Sequence, residues 1–157
     1  MKYLMVPLML MACSGCATQQ IASQPIPDSR AYSASFDKTW GALISVLAER
    51  GLDIETSDKS SGLLTTRPYA LASASKSGGP NVPTEVWRVA YKPFSMFGMW
   101  NSVEYKLNVL VTQEEAGSKV KITTRIDVED GSGLTHQLKS RGVIEDEIFT
   151  AMGALVK

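Results

Sequence analysis

The run VEYKLNVLVTQEEAGSKVKITTRIDV, residues 103–128, decides the fold of this chain. Apolar and polar residues alternate over 103–111 and again over 120–128, with the polar segment 114–118 between them. Alternation with a period of two is typical of a β-strand that buries one face. So short a connection cannot support a parallel crossover, and the two strands are therefore predicted to form an antiparallel hairpin.

Two amphipathic helices are predicted, one on each side of this hairpin in the chain. Residues 35–51 carry an apolar stripe at helical spacing, with Ser35 as the N-cap and Gly51 after the last turn. The stripe consists of Phe36, Trp40, Leu43, Ile44 and Leu47. The second helix begins near residues 140–142, has an acidic first turn, and carries Ile144, Ile148, Met152 and Leu155. Acidic residues are favourable at the positive end of a helix dipole.

The remaining segments predict further strands and loops. Residues 52–56 and 63–67 flank a polar turn cluster and read as a second β-hairpin. The stretch 70–84 is poor in bulky side chains and is predicted to be a mobile loop. Trp87, Val89 and Tyr91 alternate with Arg88 and Ala90, which predicts a strand over 85–91.

These elements predict one domain, residues 31–157, of the two-layer α+β class. A short strand over 31–35 is possible, and 132–137 is expected to be an exposed connection into the last helix. An antiparallel sheet with one solvated face needs its apolar face covered, and two helices are available for that face. A single core also fits the length of 157 residues.

Residues 1–16 have the pattern of a secretory signal peptide: Lys2 followed by an apolar run of about ten residues, against the roughly twenty that a membrane-spanning helix needs. Small residues lead directly into Cys13 and into Cys16, and both sites resemble a bacterial lipobox. Cys16 is the preferred lipidation site and Cys13 the alternative. A diacylglycerol on this cysteine would anchor the mature N-terminus in a membrane.

Residues 17–30 are rich in Gln, Ser, Thr and Pro and are predicted to be a flexible linker. Under the sorting rule of many Gram-negative bacteria, an aspartate after the lipidated cysteine retains a lipoprotein in the inner membrane. The residue here is Ala17 or Ser14, so the expected location is the periplasmic face of the outer membrane.

Composition excludes several function classes. The chain has 16 Lys and Arg against 16 Asp and Glu, so it carries no basic excess for nucleic acid. Two cysteines in the leader and the single His136 cannot assemble a Cys/His zinc site, and His136 has no evident catalytic partner. The acidic clusters lack the spacing of a calcium loop. We therefore expect no cofactor, no metal and no enzymatic activity.

The segment 93–100, PFSMFGMW, is unusually apolar for a connection between strands. It either folds under the sheet and completes the core, or presents an adaptable contact patch for a partner or for lipid. The candidate partner contacts are Phe94, Met96, Phe97, Met99 and Trp100.

Several short patterns resemble small envelope lipoproteins with a BamC-like (NlpB-type) domain. They are Phe36-x-x-x-Trp40, Gly51-Leu52, Asp58-Lys59-x-x-Gly62-Leu63 and Ser140-x-Gly142-x-x-Glu145. The resemblance spans roughly 32–67 and 85–156. It implies a helix-grip fold, in which a curved antiparallel sheet wraps the C-terminal helix. BamC itself resembles two such domains in tandem and is accessory to the insertion of outer-membrane barrels, whereas this chain has one domain, so no binding residues carry over.

Two functions from different classes follow as expectations. The first is a non-catalytic outer-membrane lipoprotein that serves as a periplasmic binding or scaffolding module, with an envelope protein as partner. The second is carriage of a lipid or another apolar ligand in the groove between the sheet and the C-terminal helix.

Overall fold

The computed structural model describes residues 26–73, 84–91 and 100–156, which form an α+β fold of seven strands and three helices. The elements in chain order are β1 (Ser29–Tyr32), α1 (Phe36–Glu49), β2 (Ile54–Asp58), β3 (Leu63–Thr66), β4 (Tyr69–Ser73), α2 (Thr84–Val89), β5 (Trp100–Glu114), β6 (Gly117–Asp130), β7 (Thr135–Leu138) and α3 (Val143–Leu155).

The sheet is built around the long β5–β6 hairpin, as the alternation of residues 103–128 predicts. All strand pairings of the described residues are antiparallel. On the edge of β5 that faces away from β6, β3 and β4 pair with different parts of the strand. Strand β2 pairs in turn with β3. On the opposite edge of β6, β1 and β7 likewise take different parts of the strand.

One face of the hairpin is apolar because its buried residues lie directly opposite one another. The cross-strand pairs include Val103–Val128, Val109–Ile122 and Val111–Val120. Leu43 and Leu47 of α1 and Ile148 and Phe149 of α3 join the same core and are 0–1% exposed. Because these residues share one core with the strands, α1 and α3 form the layer that covers this face. Burial of each such side chain stabilises the fold by roughly 1.5–3 kcal/mol.

Helix α1 begins and ends where the sequence predicts. The Ser35 side chain caps the N-terminus by accepting a hydrogen bond from Lys38 N at 3.4 Å. The rings of Phe36 and Trp40 stack with their centroids 5.8 Å apart. Gly51 follows the helix with a φ of +68°, a conformation that favours glycine.

A buried hydroxyl network joins α1 to the sheet. The Ser118 hydroxyl donates to Ala34 O at 3.1 Å, so the Thr39 hydroxyl is the donor in the 2.6 Å contact between Thr39 Oγ1 and Ser118 Oγ. Thr39 and Ser118 are almost fully buried. Every hydroxyl proton in this network therefore has an acceptor, as buried polar groups require.

The prediction of a strand over 85–91 is wrong, because residues Thr84–Val89 form helix α2. Val86, Val89 and Ala90 are buried and lie at i, i+3 and i+4, so one turn of helix buries all three on one face. An ion pair between Arg88 and Glu85, also three residues apart, lies on the exposed side. A short apolar run of this kind fits both the two-residue period of a strand and the 3.6-residue period of a helix. Here the contacts with the rest of the fold favour the helix.

The first residues of the stretch 70–84, predicted to be a loop, belong instead to a strand, and residues 74–83 lie outside the described residues. Tyr69–Ser73 forms β4, which pairs with β5 through the register Tyr69–Tyr105 to Ser73–Ser102. The ring centroids of Tyr69 and Tyr105 are 5.4 Å apart. This contact provides the side-chain packing that the small residues Ala70 and Ala72 cannot provide. Cross-strand aromatic contacts of this kind stabilise a sheet.

The exposed connection predicted over 132–137 is also corrected. Thr135–Leu138 forms β7, which pairs with β6 from Ile126–Leu138 to Glu129–Thr135. Leu138 is buried, whereas the other three residues of the strand are exposed. A strand with one buried side chain gives almost no hydrophobic signal in the sequence.

The N-terminal boundary of the ordered sheet lies slightly earlier than predicted. Ser29 and Arg30, assigned to the linker, belong to β1 and pair with Lys121 and Val120. The Tyr32 hydroxyl donates to Phe149 O at 3.0 Å, and burial raises the pKa of Tyr32 to about 12 against the opposing effect of Arg30. These contacts fasten β1 to α3.

Candidate functional site

A polar cleft lies on the outer edge of β6, where strand pairing is interrupted. Pairing with β1 ends at Lys121, and pairing with β7 resumes at Ile126. Among the described residues, 123–125 therefore have no strand partner on this edge. The cleft has a volume of about 470 Å³ and is lined by Asp28, Ile122, Thr123, Thr124, Gln137, Leu138, Lys139, Ser140 and Glu145.

The interruption arises because two segments distant in the chain end on either side of Thr124. After Leu138 the chain turns away from β6, and Ser140 forms an isolated bridge with Ala90 instead. From the other side, Asp28 approaches β6 and its carbonyl accepts a hydrogen bond from Ile122 N at 2.8 Å. Neither segment reaches across the position of Thr124, so the edge stays open there.

Gly142 allows the segment that precedes β1 to lie close to the start of α3. Its φ is +83°, and a Cβ atom at this position would lie 2.6 Å from Cβ of Ile26. Any side chain at Gly142 would thus push the segment that precedes β1 away from the helix. Close approach of this kind requires glycine.

Glu145 places a buried carboxylate in the wall of the cleft. The residue is 4% exposed and lies in the first turn of α3, where the helix dipole favours a negative charge. Its Oε2 accepts a hydrogen bond from Ser140 Oγ at 3.0 Å, and the same Oγ accepts from Gly142 N at 3.0 Å. None of the ion pairs formed by the described residues includes Glu145.

Thr124 adds a polar side chain that has no partner. It is 8% exposed, and its Oγ1 has no hydrogen-bond partner in the described part of the chain. An unsatisfied buried hydroxyl costs about 1–3 kcal/mol. Backbone groups of residues i and i+2 in a strand point to the same edge, so the backbone of Thr124 faces the cleft as that of Ile122 faces Asp28.

The two acids around the cleft, Asp28 and Glu145, are matched in number by two lysines, but the described contacts pair neither lysine with Glu145. Asp28 pairs with Lys121 across the strand, with Nζ and Oδ2 separated by 3.2 Å. Lys139 directs its ammonium group to the ring of Tyr91, 5.8 Å from the centroid. The carboxylate of Glu145 therefore receives only the neutral donor Ser140 among the contacts of the described residues.

A second polar cluster, at the opposite side of α3, is structural. Glu147 bonds Arg88 Nη1 at 2.7 Å and Arg50 Nη1 at 3.1 Å. Burial raises the pKa of Glu147, but hydrogen bonds from Arg88 and Arg50 outweigh it and hold this pKa below its ordinary value. The cluster ties α3 to α2 and to the end of α1.

No protein-family model matches the chain, and no curated protein matches it. Function is therefore inferred from the cleft and from the N-terminal sequence. Within residues 26–73, 84–91 and 100–156, no three His, Cys, Asp or Glu side chains are grouped so that they could hold a metal ion. No helix in these same ranges has both the length and the apolar character needed to cross a membrane.

His136 closes a turn in the structure. Its Nε2 lies 2.8 Å from Asp130 Oδ2, and the carboxylate of Asp130 also accepts from Ser132 Oγ and from Leu134 N. Hydrogen bonds from Ser132, His136 and Leu134 hold the pKa of Asp130 well below its ordinary value. Because Ser132 bonds Asp130 and not His136, these residues do not have the arrangement of a nucleophile and its base.

The candidate contact segment is described only at its end. Trp100 is a core residue, 5% exposed, and its Nε1 has no hydrogen-bond partner among the described residues. For Trp100 the structure thus places the side chain in the core instead of on an exposed contact patch. The other candidate contacts, Phe94, Met96, Phe97 and Met99, lie outside the described residues, as do Cys13 and Cys16.

Sequence reasoning missed the cleft although two signals for it were present. Thr124 is the only polar residue in the series Val120, Ile122, Thr124, Ile126 and Val128. Glu145 lies four residues before the buried Phe149 and so belongs to the apolar side of α3. A polar residue on each of two buried faces indicates a polar site where those faces meet.

Proposed function

We propose that this chain is a lipid-anchored protein of the bacterial outer membrane whose α+β domain is a non-catalytic binding module in the periplasm. The lipobox-like sequences at Cys16 and Cys13 support the anchor. The observation that carries the binding role is the cleft, whose lining includes the buried acid Glu145 and Thr124, a residue whose buried hydroxyl has no partner in the described part of the chain. Buried polar groups are normally satisfied, so exceptions of this kind require an explanation.

We further propose that the fold is a helix-grip of the BamC-like type. Support comes from the position of α3, whose Ile148, Phe149 and Met152 are buried against the apolar face of the sheet. This proposed resemblance favours an accessory role in envelope or outer-membrane protein assembly. The partner would be an envelope protein, and no nucleic acid is expected to bind.

The alternative function, carriage of a lipid or another apolar ligand, draws support from the position of the cleft between β6 and the start of α3. The lining argues for a different ligand. Only Ile122 and Leu138 are apolar among the residues around the cleft, whereas ligand pockets for apolar molecules are lined predominantly by apolar side chains. The buried carboxylate of Glu145 in this lining favours a ligand that carries a polar or charged group over a purely apolar one.

Acyl labelling of the full chain in a Gram-negative host tests the anchor. We expect labelled palmitate on the wild-type chain and on Cys13→Ala, and none on Cys16→Ala or on the double variant. Ser14→Ala is the matched control and should label normally. Unchanged labelling and membrane fractionation of the double variant, or of cells treated with globomycin, would refute the anchor.

Native mass spectrometry of the chain extracted from membranes distinguishes the two roles. Co-purification of defined envelope proteins, reduced by substitutions in the cleft, supports a binding module. Extractable lipid that depends on the same residues supports carriage instead.

A further inference from the structure

We propose that the cleft binds an organic cation, a primary ammonium or guanidinium group on a short aliphatic chain, with the Glu145 carboxylate as its counter-ion and the Thr124 hydroxyl as a second hydrogen-bond partner. The proposal rests on the binding role suggested above and is independent of the lipid anchor.

The buried carboxylate supplies the first argument. Removing a charge from water is costly unless a cation and hydrogen bonds compensate for it, and buried charges are therefore normally paired. Glu145 is 96% buried, as its 4% exposure shows, and among the described residues it contacts the neutral Ser140 hydroxyl. A bound ammonium or guanidinium group would provide the missing charge and a strong hydrogen bond.

The unpartnered hydroxyl supplies an independent argument. Capping of α3 explains why Glu145 and Ser140 interact, but it does not explain Thr124 on β6. Thr124 lines the same cleft, and its Oγ1 has no partner in the described ranges. Two buried polar residues on different elements thus line one space. The Thr124 hydroxyl has almost no accessible surface, so a donor-rich cation can satisfy both groups only when the threonine side chain turns toward the cleft.

The shape and lining of the cleft fit a small ligand with an aliphatic stem. Its volume of about 470 Å³ lies within the usual range for small-molecule sites. Leu138 offers a small apolar surface beside the polar groups. In the described contacts of the nearby lysines, Lys121 pairs with Asp28 and the ammonium group of Lys139 lies 5.8 Å from the centroid of the Tyr91 ring, so neither is placed on Glu145.

Titration of the full chain in detergent micelles with n-butylamine and n-butylguanidine tests the proposal, and n-butanol is the neutral control of matched size. Calorimetry should show saturable binding of both cations, at least tenfold tighter than that of butanol. In amide NMR spectra, the shifts of Thr124, Ser140 and Glu145 should move with the same saturation curve.

Two variants assign the roles. Glu145→Gln keeps an acceptor for Ser140 but loses the charge, and we expect cation binding to weaken tenfold or more. Thr124→Val preserves the side-chain shape and should weaken binding severalfold. Glu55→Gln, an exposed acid on β2, is the matched control and should leave affinity unchanged.

The peptide acetyl-Gly-Lys-Gly-amide distinguishes the source of the cation. Tighter binding than n-butylamine assigns the site to a basic side chain of an extended partner that also pairs with the open edge of β6, and weaker binding assigns it to a free amine. Equal affinity of wild type and Glu145→Gln, shifts confined to other residues, or no binding of either cation overturns the proposal. Loss of acyl labelling with cation binding retained would instead refute only the anchor.

Discussion

A pair of identical substitutions at two buried threonines tests how the structure assigns hydroxyl partners. Thr39 and Thr124 are 0% and 8% exposed, and both change to the nearly isosteric valine. The Thr39 hydroxyl donates to Ser118 Oγ at 2.6 Å, whereas Thr124 Oγ1 has no partner among the described residues. The two substitutions are therefore expected to shift stability in opposite directions.

The magnitudes follow from these contacts. Thr39→Val removes a buried hydrogen bond and leaves the Ser118 oxygen with one donor fewer, so it should lower the free energy of unfolding by about 1–2 kcal/mol. Thr124→Val relieves an unsatisfied hydroxyl, which costs about 1–3 kcal/mol, and buries an additional methyl group. We expect it to raise the free energy of unfolding by about 1 kcal/mol, or roughly 3–5 °C in Tm for a domain of this size.

Urea unfolding followed by circular dichroism, in the absence of added amines, measures both effects on the full chain. Ser118→Ala in a double-mutant cycle with Thr39→Val serves as the control, because the two substitutions remove the same hydrogen bond and should be strongly non-additive. If Thr124→Val destabilises the domain as Thr39→Val does, the Thr124 hydroxyl has a partner such as a bound water, and the reasoning about the cleft fails.

Three further predictions concern the scaffold around the cleft. Gly62→Ala should lower the free energy of unfolding by about 2 kcal/mol or more, seen as a lower urea midpoint, because φ is +73° and a Cβ would clash with the carbonyl of Val111. Trp100→Ala should cost about 3–5 kcal/mol in the same assay, since Trp100 belongs to the core; a change below 1 kcal/mol would contradict its burial. The lowered pKa of Glu147 means that its stabilisation is present above the ordinary carboxyl value of 4.5 and is lost as pH falls through the folded value. Unfolding midpoints between pH 7 and pH 3 should consequently fall less for Glu147→Gln than for wild type, and identical pH profiles would contradict the role of the Arg88 and Arg50 contacts.

The sequence correctly predicted those elements in which apolar residues recur with a single clear period, either that of a strand or that of a helix. The β5–β6 hairpin and helix α1 each bury a continuous stripe, so local alternation is enough to identify them. Helix α2 and strands β4 and β7 are different, because each is short and buries few side chains. Their conformations are decided by partners far away in the chain, and neither partner nor register is visible in a local window.

The acidic run at the start of α3 shows that a local stretch of sequence also cannot identify which residue belongs to a site. The sequence explains the run as charge at a helix N-terminus, and that explanation treats Glu145, Asp146 and Glu147 alike. Helical geometry separates them by about 100° each, so that Asp146 pairs with Arg30, Glu147 with Arg50 and Arg88, and Glu145 enters the cleft. The packing of α3 against β6 in the structure, and not the sequence, identifies Glu145 as the one of these three acids that is buried and has no ion pair among the described residues.

The open edge of β6 is also consistent with how sheets are protected from unwanted pairing. An unpaired strand edge exposes backbone donors and acceptors to other chains, and natural proteins cover such edges or shorten them. Here β1 and β7 cover most of the outer edge of β6, and among the described residues 123–125 have no strand partner there. The segment 26–28 beside this opening belongs to the stretch 17–30 that the sequence predicts to be a linker. A ligand held at the cleft would thus lie beside the segment that connects the domain to its N-terminal region, and, if the proposed anchor is present, close to the attachment of the domain.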